Sequence, residues 1–131
     1  MPRVVTAGVP MRTPLVTNQI ELSLLRTAPF TNGDLAALQR RRIPPMAWSP
    51  LGGGALLRND NAPLSELLDD IAARHGTGRA AVALAWLLAH PARIMPVVGT
   101  NSPERIREVS EAAEVDMDRQ TWFELLTAAT G

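Results

Sequence analysis

The sequence predicts an α/β chain: about three short parallel strands joined and covered by crossover helices. Three observations carry that prediction. Short strand-like runs alternate with helical stretches in the order strand, helix, strand, helix pair, strand, helix. The 131 residues suit one domain but hold too few strands to close a barrel, which takes about 250 residues. Finally, the first strand does not lead into a GxGxxG turn, so the dinucleotide fingerprint of a doubly wound sheet is missing.

The elements follow in order. Leu15 to Leu22 alternates apolar Val16, Ile20 and Leu22 with polar Thr17, Gln19 and Glu21, and Pro14 enters it, which predicts a strand. Gly33 to Arg42 reads as a helix capped by Asn32 or Thr31, with Leu35 and Leu38 facing inward. Pro44-Pro45 ends it, and Met46 to Ser49 is the second strand. Pro50 to Gly54 is a glycine-rich loop, and Asn59 to Pro63 has the composition of a turn. Leu64, Leu67, Leu68, Ile71 and Ala72 recur at helical spacing up to His75. After Gly76-Thr77-Gly78, Arg79 to His90 forms a helix apolar on nearly every side, which predicts wide burial. Pro91 ends it and Ile94 to Val98 is the third strand. Ser102-Pro103 is a helix cap with proline at the first helical position. Ile106, Val109 and Ala113 mark that helix's inner face. A last helix starts near Asp118, with Trp122, Leu125, Leu126 and Ala129 on one side.

Composition narrows the function. Thirteen acidic and thirteen basic residues give zero formal charge, which removes the electrostatic case for nucleic acid or an acidic membrane. The run Arg40-Arg41-Arg42 ends a helix, where it complements the dipole. There is no cysteine, so disulfides and thiolate metal sites are excluded. The first residues lack the apolar core of a signal peptide, and the longest apolar run, Ala80 to Ala89, is too short to span a bilayer. A cytoplasmic protein is the expectation. His75 and His90 each end a helix and are read as dipole partners, not as metal ligands or catalysts. Trp86 and Trp122 are read as core. The chain contains no tyrosine, and every basic residue counted is arginine, so no lysine amine is present.

Two loops carry the chemistry. Trp48-Ser49-Pro50-Leu51-Gly52-Gly53-Gly54 follows the second strand, and its glycines let backbone amides approach phosphates without obstruction. Taken alone, the signal is weak, because a glycine triplet after a strand is more often a plain turn. Gly99-Thr100-Asn101-Ser102-Pro103-Glu104-Arg105 follows the third strand. There, hydroxyls and amides at a helix start form an anion-ready terminus with an arginine one turn in; the bland alternative is an ordinary capped helix. Two such loops at the C-terminal ends of successive strands reinforce each other, because that is where such folds bind ligands.

The series Val16-Thr17-Asn18-Gln19-Ile20-Glu21, Met46-Ala47-Trp48-Ser49-Pro50-Leu51-Gly52-Gly53-Gly54, Ala83-Leu84-Ala85-Trp86-Leu87-Leu88 and Pro96-Val97-Val98-Gly99-Thr100 with Pro103-Glu104-Arg105-Ile106 resembles the aldo-keto reductase family, in order and spacing. The resemblance implies that residues 14–131 are the C-terminal part of a (β/α)8 TIM barrel, strands six to eight, whereas residues 1–13 do not match. It implies that NADPH is the cofactor. Gln19 would contact the nicotinamide carboxamide and Trp48 would lie against the nicotinamide. Ser49, Leu51 and Gly53 would run along the pyrophosphate. Thr100, Asn101, Ser102 and Arg105 would hold the ribose 2′-phosphate, and Glu108 would lie near the adenine, although Val109 stands where the family often has asparagine. The residue-level alternatives are a satisfied core amide for Gln19 and packing for Trp48.

In that family a tyrosine donates the proton during hydride transfer, tuned by lysine, aspartate and histidine on earlier strands. With neither tyrosine nor lysine, the chain is expected to have no catalytic residues and to be inactive alone. An arc of three strands leaves two open edges and an uncovered inner face, so self-association or a complementing N-terminal half is expected as a partner. The alternative to an oxidoreductase part is a non-catalytic NADPH-binding or interaction fragment.

Overall fold

The computed structural model describes residues 16–58, 62–100 and 102–130. Three parallel strands form one sheet in the order β1 (Asn18–Glu21), β2 (Pro45–Trp48), β3 (Met95–Pro96). Between β1 and β2 come a short helix α1 (Ala28–Thr31) and α2 (Asp34–Arg40). A 3₁₀ segment (Gly52–Leu57), α3 (Ala62–His75) and α4 (Arg79–Leu88) join β2 to β3. After β3 follow α5 (Pro103–Ser110), a 3₁₀ turn (Glu111–Glu114) and α6 (Arg119–Thr130). This is the α/β arrangement expected, with helices as the crossovers of a parallel sheet.

The register sets the two faces. Gln19 lies beside Met46, which lies beside Met95, while Glu21 lies beside Trp48. Because side chains alternate along a strand, these residues share one face. Ile20, Leu22, Ala47 and Ile94 point to the other, where they are buried under the helices with Leu35, Leu38, Leu68, Val82 and Trp86. The first face stays open: Trp48, Met95 and Val97 remain 45%, 42% and 40% exposed. Among the described residues nothing covers it.

Helix α4 is the centre of the fold, with every residue from Ala80 to Leu87 buried, as its all-round apolarity predicts. Its outer side meets α6 through a reciprocal tryptophan pair. The Trp86 indole donates to the Trp122 carbonyl at 3.0 Å, and the Trp122 indole donates to the Trp86 carbonyl at 2.8 Å. The two rings stack at 4.7 Å with 12° between planes. Trp86 is fully buried as expected, whereas Trp122 is only half-buried.

Several boundaries differ from the sequence expectation. Leu15 lies outside the described residues. The helix expected over residues 33–42 spans Asp34–Arg40, because Gly33 takes φ 98° and breaks the turn before it. Asn32 still serves the helix start, its Oδ1 accepting from the Asp34 amide at 2.9 Å. The third strand shortens to Met95–Pro96, since proline offers no ladder donor; the Val97 amide resumes pairing by donating to the Ala47 carbonyl at 2.9 Å. On α5 the expected inner face holds at Val109, which packs against buried Ala81, Leu84, Ala85 and Ala112, but not elsewhere: Ile106 is 52% exposed and Ala113 is exposed, while Ala112 is buried. The chain changes from α to 3₁₀ at Glu111, and three residues per turn bring Ala112 inward in place of Ala113.

Candidate cofactor site

The loop after β2 is shaped by left-handed backbone. Ser49 adopts φ 48°, and Gly52, Gly53 and Gly54 adopt 63°, 64° and 92°. Such φ values are costly for residues with a β-carbon, which explains why the sequence places three glycines together. The Gly52 amide donates to the Ser49 carbonyl at 2.9 Å and the Gly54 amide to the Leu51 carbonyl at 3.1 Å, so the loop is a tight coil. At Gly52 a β-carbon would stand 2.7 Å from Leu25 Cδ1, whereas at Gly53 and Gly54 it would meet nothing within 4 Å. Gly52 lies under the exposed Leu25 side chain, and the next two glycines leave the approach to the loop open.

The loop after β3 ends in a capped helix. Ser102 Oγ accepts from the Arg105 amide at 3.3 Å, and Thr100 Oγ1 accepts from the Ser102 amide at 3.2 Å. Ser102 Oγ also donates to Glu104 Oε2 at 3.0 Å. Bonding to its own backbone amide, then to Ser102, holds the Glu104 carboxyl below the usual carboxylate range. An anionic group thus already sits at this helix start, as the partial positive charge there favours. Arg105 Nη1 lies 3.2 Å from Glu108 Oε2, with side chains 34% and 27% exposed. Glu108 packs closely over Gly78.

One small core joins the two loops. Leu51, Val98 and Val109 all pack against buried Ala81, Leu84, Ala85 and Ala112. The loops are thereby fixed side by side at the C-terminal ends of neighbouring strands.

The expected site residues fall into three groups. Gln19 and Trp48 share the open face of the sheet, with Gln19 exposed, so it is not a core amide. Ser49, Leu51 and Gly53 belong to the first loop, where Leu51 turns inward as the packing anchor and Gly53 is exposed. Thr100, Ser102 and Arg105 lie at the start of α5, and Glu108 stands one turn further along, facing Arg105. Asn101 lies outside the described residues. Sequence reasoning missed Leu25, whose side chain lies over Gly52, because nothing local signals that long-range contact. It also missed the competition between Glu104 and any incoming anion, although a capping serine two residues before a glutamate was visible. Among the described residues no group of His, Asp and Glu could hold a metal ion, and no helix is long and apolar enough to cross a membrane.

The donor set suits a phosphorylated ligand: one arginine, hydroxyls at a helix start, open glycine backbone and an exposed indole. Residues 10–128 match the sequence model of the Aldo/keto reductase family. The chain is 59% identical over 117 residues to 6-dehydroglucose reductase of Agrobacterium fabrum (strain C58), covering 89% of this chain and 39% of that protein. It is 42% identical over 120 residues to 6-dehydroglucose reductase of Novosphingobium aromaticivorans, covering 89% of this chain and 40% of that protein. The crystal structure of the thermostable aldo-keto reductase Tm1743 with the inhibitor epalrestat superposes with a TM-score of 0.79 at 26% identity, over 89% of this chain and 41% of that one. The chain therefore spans about 40% of the length of the curated relatives it matches. It belongs to the aldo/keto reductase family.

Proposed function

We propose that this chain supplies the cofactor-binding part of an NADPH-dependent carbonyl reductase and does not catalyse reduction by itself. The observation that carries this is the pair of loops locked together by Leu51, Val98 and Val109, with Arg105 at the start of α5. The Arg105 fork is suited to the ribose 2′-phosphate once it leaves Glu108, with the Thr100 and Ser102 hydroxyls beside it; Asn101 is proposed for the same phosphate from the family resemblance alone. The glycine loop gives the pyrophosphate an unobstructed backbone. Trp48 offers an exposed ring to the nicotinamide and Gln19 an amide to its carboxamide, on the same face of the sheet. When bound, the cofactor supplies the hydride. No tyrosine or lysine exists in the chain to protonate the product alkoxide, a contribution of about 10²–10⁴ in rate.

The reaction belongs to a complete barrel, in which further strands would cover the open face of Gln19, Met46, Trp48 and Met95. Identity of 59% to a 6-dehydroglucose reductase makes an oxidised sugar the substrate class proposed for that barrel. The test uses the 131-residue chain in one cuvette. NADPH fluorescence should change saturably on titration, while absorbance shows no NADPH oxidation when 6-dehydroglucose is added. Turnover by the chain alone, or no saturable fluorescence change, would overturn the proposal.

A further inference from the structure

A second concave feature lies away from the cofactor loops, between α1, the end of α4 and α6. It is a groove of about 520 Å³, within the size range of small-molecule sites. Its walls are aromatic: Phe30, Trp122, Phe123 and the His90 ring. Phe30 stands edge-on to both Trp122 and His90, with centroids 5.7 and 5.2 Å apart. These rings are held before any ligand arrives. The Trp122 indole is fixed by its bond to the Trp86 carbonyl, and His90 Nδ1 accepts from the Ala92 amide at 3.0 Å. That bond leaves the proton of the neutral imidazole on Nε2, available as a donor. Among the described residues no carboxylate lines the groove, and its one charged lining residue is Arg119. The Arg119 guanidinium lies 5.7 Å from the centroid of the exposed Phe123 ring and has no carboxylate within ion-pairing distance among the described residues.

We propose that this groove binds a flat aromatic carboxylate, with the ring between the aromatic walls and the acid on Arg119. Aromatic walls favour a planar ring by stacking and edge contacts. A single unpaired guanidinium at the rim selects a carboxylate, which accepts two parallel hydrogen bonds from it. A cationic ligand would face Arg119 with no compensating acid, and a neutral ring would leave that charge unused.

The probe is 2-naphthoate, titrated into the whole chain and followed by tryptophan fluorescence and by the Trp122 indole signal in ¹H–¹⁵N spectra. The expected result is saturable one-to-one binding that moves the Trp122 signal. Arg119→Gln weakens it by about tenfold or more, the loss of one charge-assisted contact. The uncharged 2-naphthamide, tested on the unaltered chain, weakens it to a similar degree, so the proposal does not depend on the variant folding. Equal binding of acid and amide would overturn it, as would an unmoved Trp122 signal. A Trp122 signal that shifts on dilution without probe would overturn it too, by showing the groove to be a contact between copies of the chain.

Discussion

Replacing Trp122 with phenylalanine tests how the last helix is held. The Trp86 carbonyl lies in the final turn of α4, where carbonyls lose their intrahelical partners. The amide four residues on, that of His90, turns instead to the Leu87 carbonyl at 3.2 Å. The Trp122 indole therefore satisfies a helix-end carbonyl from another element, at 2.8 Å and partly buried. Phenylalanine keeps an apolar ring at the position but removes the donor. The lost hydrogen bond, with its carbonyl left partly desolvated, costs about 1–1.5 kcal/mol. Weaker stacking on Trp86 adds about 0.5–1 kcal/mol, for a total near 2 kcal/mol. Equilibrium urea unfolding followed by far-UV circular dichroism should show the midpoint falling by about 1 M, taking a slope of about 2 kcal/mol/M. Hydrogen exchange should accelerate first in α6. A midpoint within about 0.2 M of wild type would show instead that the reciprocal pair contributes nothing to docking α6.

Three further outcomes follow from the geometry. Gly52→Ala and Gly53→Ala should each destabilise by about 1–2 kcal/mol in the same urea assay, since both carry left-handed strain and the exposed Leu25 side chain can swing away from a β-carbon at position 52; a loss at Gly52 far above that at Gly53 would contradict it. Burial holds the His90 imidazole below its ordinary value of 6.5. Its contribution to stability is therefore present above that value and lost as pH falls toward the depressed folded value, where the unfolded chain takes up the proton more readily. Urea midpoints measured across that window should decline on acidification, and His90→Gln should flatten the decline; an unchanged profile would contradict it. Glu104→Gln should tighten NADPH about threefold in a fluorescence titration by removing a competing anion from the start of α5, and weaker binding would show that Glu104 supports the site.

Most of the fold was legible because it rests on local chemistry. Pro103 after Ser102 announced a capped helix, and the structure places the Ser102 hydroxyl on the Arg105 amide. The all-round apolarity of Arg79 to Leu88 announced a central buried helix. What escaped was set by tertiary geometry. Nothing near Trp86 or Trp122 shows that each indole reaches the other's carbonyl across 36 residues. Past Val109, which packs inward as expected, Ala112 and not Ala113 is buried, because the phase depends on where the helix tightens to 3₁₀. For the site, the two loops and their order were visible, as was Arg105. That Arg105 and Glu108 face each other at helical spacing could have been read from three residues of separation, yet each was assigned to a different part of the cofactor.

The measurement that bears most directly on the cofactor proposal is the affinity of wild type and Arg105→Ala for NADPH and for NADH, four titrations in one buffer. Wild type should prefer NADPH. Arg105→Ala should weaken NADPH by about tenfold or more, the worth of a charge-assisted contact to the 2′-phosphate, while NADH, which lacks that phosphate, is unchanged. Equal weakening of both cofactors, or no preference in the wild type, would contradict it.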